Sequence, residues 1–245
     1  MRLVGYSTGA VSKGDFAAAI ALLSERGIRA VELSALRMHE LRPLMAALTQ
    51  LDLSEFQHVS VHAPSDFADE AEQEIVDRLQ VAADRGYSIV VHPDAIRDWA
   101  LWRALGEHVL IENMDKRKPI GRTRDELAEC FAQLPKARLC FDVGHARQVD
   151  PAMLEARRIL SSFGDRLGQV HISEVGSDSK HERISLPAAR TFRAVAGLIP
   201  LDIAVITESA VTPDQLIDEI ARARSALGEG VFPGVASTAA SAHAA

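Results

Sequence analysis

Short apolar, β-branched runs alternate with stretches of helical periodicity along almost the whole chain. The runs are LVGYST (3–8), AVELSAL (30–36), HVSVHAP (58–64), SIVVHPD (88–94), HVLIENMD (108–115), ARLCFDVGH (137–145), LGQVHISEV (167–175) and LDIAVITES (201–209). Runs of this length, rich in Val and Ile, read as strands buried on both faces. Between them, 15–26 keeps Phe16, Ile20 and Leu23 at helical spacing and stops at Gly27, a C-terminal glycine signal. A second helix is expected over 39–51. A third, over 69–84, puts Ile75, Val76, Leu79 and Ala83 on one stripe, with acidic residues in its first turn. The fourth, near 97–105, looks shortened. Thr123 and Glu126 form a capping box opening 124–134. Further helices are expected near 151–163 and 187–198, and Thr212-Pro213 reads as the N-cap and first position of the last one.

Eight strand–helix units imply a parallel sheet closed on itself, an α/β (β/α)8 TIM barrel in a single domain over 1–228. An open doubly wound sheet would carry a glycine-rich phosphate turn after its first strand, and STGAVSKGD (7–15) is not one. The residues from 229 to 245 are small and aperiodic and read as a disordered tail. A chain of 245 residues needs no disulfide staple, and its two cysteines, Cys130 and Cys140, define no framework, so a reduced, cytoplasmic setting is expected. The first residues lack a leader's apolar segment, and no run is long enough to cross a membrane.

Chemistry enters through the ends of the runs. His62, His92, Glu112, Asp142, His145, His171 and Glu208 all stand at or just beyond the C-terminal ends of predicted strands, where barrels carry their sites. A mixed nitrogen and oxygen set of this kind suits a divalent Mn, Zn, Co or Fe ion. The competing account is that strand-end polar residues merely pair with one another, or that His62 and His92 bind substrate. His145 is expected where strand gives way to loop, and could bind metal, donate to substrate or orient Asp142. His39, His58 and His108 lie at element starts, the wrong end of the barrel, and are read as structural; no role is read for His243.

Net charge is −7, which argues against a broad nucleic-acid footprint. Within it, residues 115–124 hold five basic residues against one acidic. Lys116, Arg117 and Lys118 in that loop, with Arg147, Lys180 and Arg183 in neighbouring loops, are candidates for binding a phosphate or carboxylate, against the plainer account of a solvated surface loop.

Taken together and in order, VHAP (61–64), VVHPD (90–94), IEN (111–113), FDVGH (141–145), VHISE (170–174) and TES (207–209) resemble the xylose-isomerase-like barrel superfamily. It includes sugar and sugar-phosphate isomerases and epimerases, inosose dehydratase and endonuclease IV. The resemblance spans Leu3 to about Leu227. It implies that Glu112, Asp142, His171 and Glu208 are the ligands of a shared metal site, and that in the isomerase branch Glu112 and Glu208 flank the carbon that exchanges a proton. From the endonuclease branch it implies a second metal on His62, His92 and a bridging Glu112, and a third partly held by His145 and His181. There the sequence departs: Ser179-Lys180-His181 stands where that branch has an aspartate two residues before the histidine, and Asp178 lies one residue away.

The function expected is a metal-dependent isomerase or epimerase of a small, anionic, sugar-phosphate-like substrate, with Glu112, Glu208 and His145 as catalytic groups. The alternative is a multi-metal hydrolase or phosphodiesterase resembling endonuclease IV, which His62, His92 and His145 favour. An aromatic content of 5% gives little to wedge open a duplex, so nucleic acid is not the expected partner. A non-catalytic barrel used as a binding module is a third reading. Trp99, Leu101, Trp102 and Leu105 on the shortened fourth helix offer an apolar flank to a second copy of the chain, as in a homodimer.

Overall fold

The apolar runs pair side by side into one closed ring. In a computed structural model describing residues 1–68 and 71–234, the barrel strands are β1 (Val4–Ser7), β2 (Ala30–Ser34), β3 (His58–His62), β4 (Ser88–Val91), β5 (Val109–Glu112), β6 (Arg138–Asp142), β7 (Leu167–Ile172) and, after the two short strands β8 (Glu174–Val175) and β9 (His181–Glu182), β10 (Val205–Thr207). Every pairing in the ring is parallel, and β1 closes it between β10 and β2. The (β/α)8 TIM barrel expected from the alternation is the fold observed.

Alternation along each strand divides the side chains between two environments. Tyr6, Val31, Leu33, Val61, Ile89, Ile111, Phe141 and Val170 face outward into the main core, beneath the helices. The opposite face of β4, β5 and β6 contributes Val90, Leu110 and Cys140, a small separate cluster inside the ring. The strands approach closely at Gly5, where a Cβ would fall 1.9 Å from the Ala30 carbonyl oxygen, so only glycine fits. Both cysteines are buried free thiols.

The helical layer comprises α1 (Thr8–Ser12), α2 (Phe16–Glu25), α3 (Met38–Leu48), α4 (Glu72–Asp84), α5 (Trp99–Trp102), α6 (Arg124–Gln133), α7 (Val143–Val149), α8 (Leu154–Phe163), α9 (Leu186–Ala196) and α10 (Leu216–Ala226). Four sequence expectations need correction. His145 lies not in a loop but in α7, a helix starting directly from β6 with Asp142 as its cap. Pro151 forces Asp150 into an extended conformation (φ −136°, ψ 98°), which ends α7 and separates it from α8. The last helix starts at Leu216 rather than Pro213, because Thr212 to Gln215 close a turn in which the Gln215 side chain accepts from Thr212 N at 3.1 Å. The two-residue hairpin of β8 with β9 replaces the loop expected around His181.

The fourth correction concerns the apolar flank. Helix α5 is indeed short, running on into a 3₁₀ segment, but Trp102 and Leu105 are fully buried inside their own chain. Trp99 and Leu101 stay part-exposed, so the flank is narrower than expected. Glu72 organises this corner: its buried carboxylate accepts from Trp102 Nε1 (2.8 Å), Arg97 N (2.9 Å) and Asp98 N (3.1 Å). Of the tail read as disordered, Glu229 accepts from Arg2 N at 2.9 Å and Phe232 is buried under the Arg222 guanidinium; residues 235–245 lie outside the described residues. Among those described, no helix is long and apolar enough to cross a membrane.

Replacing Glu72 by Ala strands the Trp102 indole and two backbone donors in a buried corner. The expected loss is about 3 kcal/mol, since bonds to a charged acceptor are worth about 1.5–3 kcal/mol each and do not add fully. A denaturant midpoint that falls at constant slope is the expected signature, and an unchanged midpoint refutes the account.

Candidate metal centre

Parallel pairing in register brings the strand-end side chains to one mouth. Asp142 pairs with His171, Glu112 with Cys140, and His62 with Val90, so the C-terminal ends of β3 to β7 finish at one level. Glu112 stands at the centre. Its Oε2 lies 3.4 Å from His62 Nε2 and 3.2 Å from His92 Nε2, and its Oε1 lies 3.3 Å from His171 Nδ1 and 3.4 Å from His145 Nδ1. His171 Nδ1 is also 3.5 Å from Glu208 Oε2, which in turn is 3.5 Å from His181 Nδ1.

Three groups of donor atoms converge closely enough to hold an ion: His62, His92 and Glu112; Glu112, Asp142, His171 and Glu208; and Asp142, His145 and His181. Every residue expected as a ligand from the sequence is therefore brought together. The donor set fits a divalent cation on a further observation. Glu112 Oε2, Asp142 Oδ2 and Glu208 Oε2 are buried without a hydrogen bond, although imidazole nitrogens lie at ion-pair distance. Oxygens that converge without bonding one another are arranged for something placed between them.

Local structure aims each ligand. His62 Nδ1 faces the Ala63 carbonyl at 2.9 Å, leaving Nε2 for the cluster. The Asn113 amide clamps Asp142, donating to its carbonyl and accepting from its N–H, both at 2.8 Å. Asp142 Oδ1 accepts from His145 N at 2.7 Å, so one carboxylate caps α7 and presents its other oxygen to the cluster. Gly144 makes this packing feasible, because a Cβ there would lie 2.5 Å from the Ser173 carbonyl oxygen. His181 is held by Ser173 Oγ at 2.7 Å.

Electrostatics reflect the crowding. Burial would raise the Glu112 carboxyl, yet His171, His62 and His92 outweigh it and hold the group well below the usual range. Burial works against a charged His62, but its close approach to Glu112 and the fields of Glu32, Glu112 and Glu208 push it up to about 9. His171 is likewise raised against the effect of burial, by the field of Cys140 and then by Glu208, Glu32 and Glu112, and His145 by Asp142, Glu112 and Glu208. Asp142 rises to about 6, through burial first, with Glu208 and Glu112 adding to it against the opposing His145. His92 is lowered, because burial wins there.

The cavity above the ligands has a volume of about 450 Å³. Arg117 and Lys118 line it, fixed by Asp115 (3.1 Å) and Asp94 (2.7 Å), and Lys13 joins them. The other basic candidates do not reach it. Lys116 is exposed, Arg147 pairs with Glu174 at 3.1 Å, Lys180 pairs with Asp178 at 2.6 Å, and Arg183 turns to Asp218 and Glu219 on α10. Asp178 thus points to solvent and does not replace the aspartate missing at Ser179. Ser179 itself donates to buried Asp115 at 2.8 Å.

Sequence reading missed Glu32, Gln169, Asn113, Asp115 and Lys13. A signal existed for two of them: Glu32 is the one charged residue in an apolar strand, and Gln169 shares a strand face with His171 by the two-residue period. His58, read as structural, bonds Gln169 Oε1 at 2.7 Å.

The fold, a closed eight-stranded parallel barrel ringed by helices, is shared with solved structures at low sequence identity. It is similar to endonuclease IV from Thermus thermophilus (21% identity, 93% of this chain and 99% of that one, TM-score 0.63). It is also similar to a D-psicose 3-epimerase whose structure was determined in the presence of D-fructose (14%, 93% and 100%, TM-score 0.60) and to the 3-keto-D-glucoside 4-epimerase of E. coli (15%, 92% and 100%, TM-score 0.55). No family model and no curated protein matches the sequence.

In the metal-free protein both raised groups favour the acidic side. The contribution of His62 is complete below its ordinary value of 6.5 and lost as pH rises through about 9; that of Asp142 is complete below 3.8 and lost through about 6. An incoming cation must displace the His62 proton. Between pH 7 and 8.5 the affinity for Mn²⁺ should therefore rise about tenfold per pH unit, with proton release seen by calorimetry in buffers of different ionisation enthalpy. A pH-independent affinity contradicts this.

Proposed function

We propose that the chain is a divalent-metal-dependent enzyme that hydrolyses a small phosphoester, with two cations sharing Glu112. The observation that carries this reading is the placement of the Glu112 carboxylate, one oxygen towards His62 and His92 and the other towards His171. A one-metal isomerase, the function expected from sequence first, has no need of two imidazoles on the far side of that glutamate. His62, His92 and Glu112 would hold one cation; Glu112, Asp142, His171 and Glu208 the other. Such a pair supplies Lewis acidity towards a phosphoryl group and a nucleophile at neutral pH.

The remaining work falls to the chain's own side chains. Arg117, Lys118 and Lys13 draw an anion to the mouth, and Asp115 and Asp94 hold the first two in place. His181, borne on the hairpin and fixed by Ser173, stands where it can protonate a leaving oxygen. With serine at 179, a third cation on His145 and His181 would rely on Asp142 alone for charge. The cavity volume suits a small ligand, and none of its lining residues is Phe, Tyr or Trp, so it lacks the stacking platforms of single-strand binders.

A metal-dependent isomerase or epimerase is the second reading. Glu112 and Glu208 flank His171 at 3.3 and 3.5 Å, a carboxylate pair that could shuttle a proton at one cation. The silent binding barrel is disfavoured by a donor set without a gap at its first two positions.

Elemental analysis should find two cations per chain in wild type and one in the His62→Ala/His92→Ala double variant. Hydrolysis of p-nitrophenyl phosphate or its diester should fall at least about a hundredfold in that variant. One cation in both proteins, with solvent deuterium entering a sugar phosphate at carbon, makes it an isomerase instead. Lys118→Ala should raise KM for the phosphoester with kcat little changed, the mark of lost uniform binding; an unchanged KM removes Lys118 from the anion site.

A further inference from the structure

Below the ligand cluster, the barrel interior between β2, β3 and β7 is polar. Glu32 on β2 is fully buried, and its Oε2 lies 2.9 Å from His171 Nε2, 2.6 Å from Gln169 Nε2 and 3.2 Å from Ser60 Oγ. Gln169 is itself fully buried, and its Oε1 lies 2.7 Å from His58 Nε2. None of these four partners reaches the cavity above. We propose that Glu32 is a positioning residue for the metal centre, holding His171 in the tautomer whose Nδ1 is free to bind a cation, with Gln169 and His58 holding Glu32 in turn.

Gln169 Nε2 also lies 2.8 Å from His171 Nε2, so inventories alone allow the amide to donate to that ring nitrogen; the charged Glu32 oxygen, within reach of both nitrogens, favours the arrangement in which each donates to it. An ionised carboxylate only accepts, so the His171 nitrogen facing Glu32 keeps a proton, and Nδ1 is the nitrogen that would release its own to a cation. Nδ1 is the atom that faces Glu112 and Glu208. The Gln169 amide must also turn its NH₂ towards Glu32, which leaves Oε1 to accept from His58 Nε2. His58 thus reads out the orientation of an amide two steps from the metal centre. It lies at the end of the barrel where sequence position had suggested no functional connection.

Energetics favour a positioning role over packing. Burying a carboxylate is costly, and a well-packed aliphatic side chain in the same buried space is often more stable. What a carboxylate adds is direction, together with greater basicity at the far ring nitrogen. His62 follows the same logic with a backbone carbonyl on its Nδ1. At His171, which faces two carboxylates at once, a charged partner is used.

This inference rests on the metal-binding reading above, and its test separates the two. Glu32→Gln keeps shape and an acceptor oxygen but removes the charge. Affinity at the cation position that includes His171, measured by chelator competition with Co²⁺, should fall about 10–100-fold. The position held by His62 and His92 should keep its affinity, and the Co²⁺ absorption bands of the His171 position should shift. Ser60→Ala, which touches Glu32 without touching His171, should keep both affinities. Independently of any variant, nitrogen NMR of histidine-labelled, Zn²⁺-loaded wild type should show His171 as the Nε2–H tautomer, so a Glu32 variant that fails to fold leaves the test standing. The Nδ1–H tautomer, or a folded Glu32→Gln protein with wild-type affinity at both positions, overturns the proposal alone. A wild type that takes up no cation overturns both.

Discussion

Charge in a confined volume is the constraint on which the rest of this structure depends. Glu32, Glu112, Asp142 and Glu208 bring four carboxylates to the inside and mouth of one closed barrel, the first three with almost no solvent. One oxygen of each of the four is buried without a hydrogen-bond donor. Such a concentration is costly unless positive charge enters it. Without a cation, protons supply that charge, which is why His62, His145 and His171 are raised together and Asp142 is driven up to about 6. A divalent cation would replace those protons with charge that does not depend on pH.

Holding like charges together requires a rigid frame, and the barrel supplies one from both sides. Outside, a continuous apolar core locks the strands beneath the helices. Inside, each acid is tied by at least one specific contact: Asp142 by Asn113 and by its capping bond to α7, Glu32 by Gln169 and Ser60. Gly144 and Gly5 mark where backbone approaches too closely for any side chain. Rigidity of this kind makes the site a preorganised set of donors rather than a surface that adapts to its ligand.

The scaffold does not choose the chemistry. Barrels similar to this one are named both as an endonuclease and as sugar epimerases, so fold alone is neutral between proton transfer and phosphoester hydrolysis. Discrimination comes from the donor set and from the mouth. Two imidazoles beyond Glu112 favour a shared carboxylate, while Ser179, turned towards Asp115, and Asp178, turned towards solvent, weaken a third position. At the mouth, Lys13, Arg117 and Lys118 are the basic groups that the proposed function assigns to an anion, two of them already held by carboxylates.

Periodicity made the barrel legible, because a strand buried on both faces and an amphipathic helix leave distinct hydrophobic spacings that local sequence cannot disguise. The candidate ligands were legible as a cluster for a related reason: His62, His92, Glu112, Asp142, His171 and Glu208 interrupt apolar runs at their C-terminal ends, and parallel closure carries all such ends to one mouth. Other features depended on partners distant in the chain. Glu32 meets Gln169 across 137 positions, and nothing near either residue announces the other. Which basic side chains enter the cavity was decided by competing carboxylates, Glu174 for Arg147 and Asp218 for Arg183, each supplied by a different element. Trp102 proved internal because Glu72, from the preceding helix, was there to accept its indole proton. Local pattern determined the elements and which polar residues stand at the strand ends. Closure of the ring decided which polar groups face one another, since that depends on register and distance between strands rather than on spacing within one.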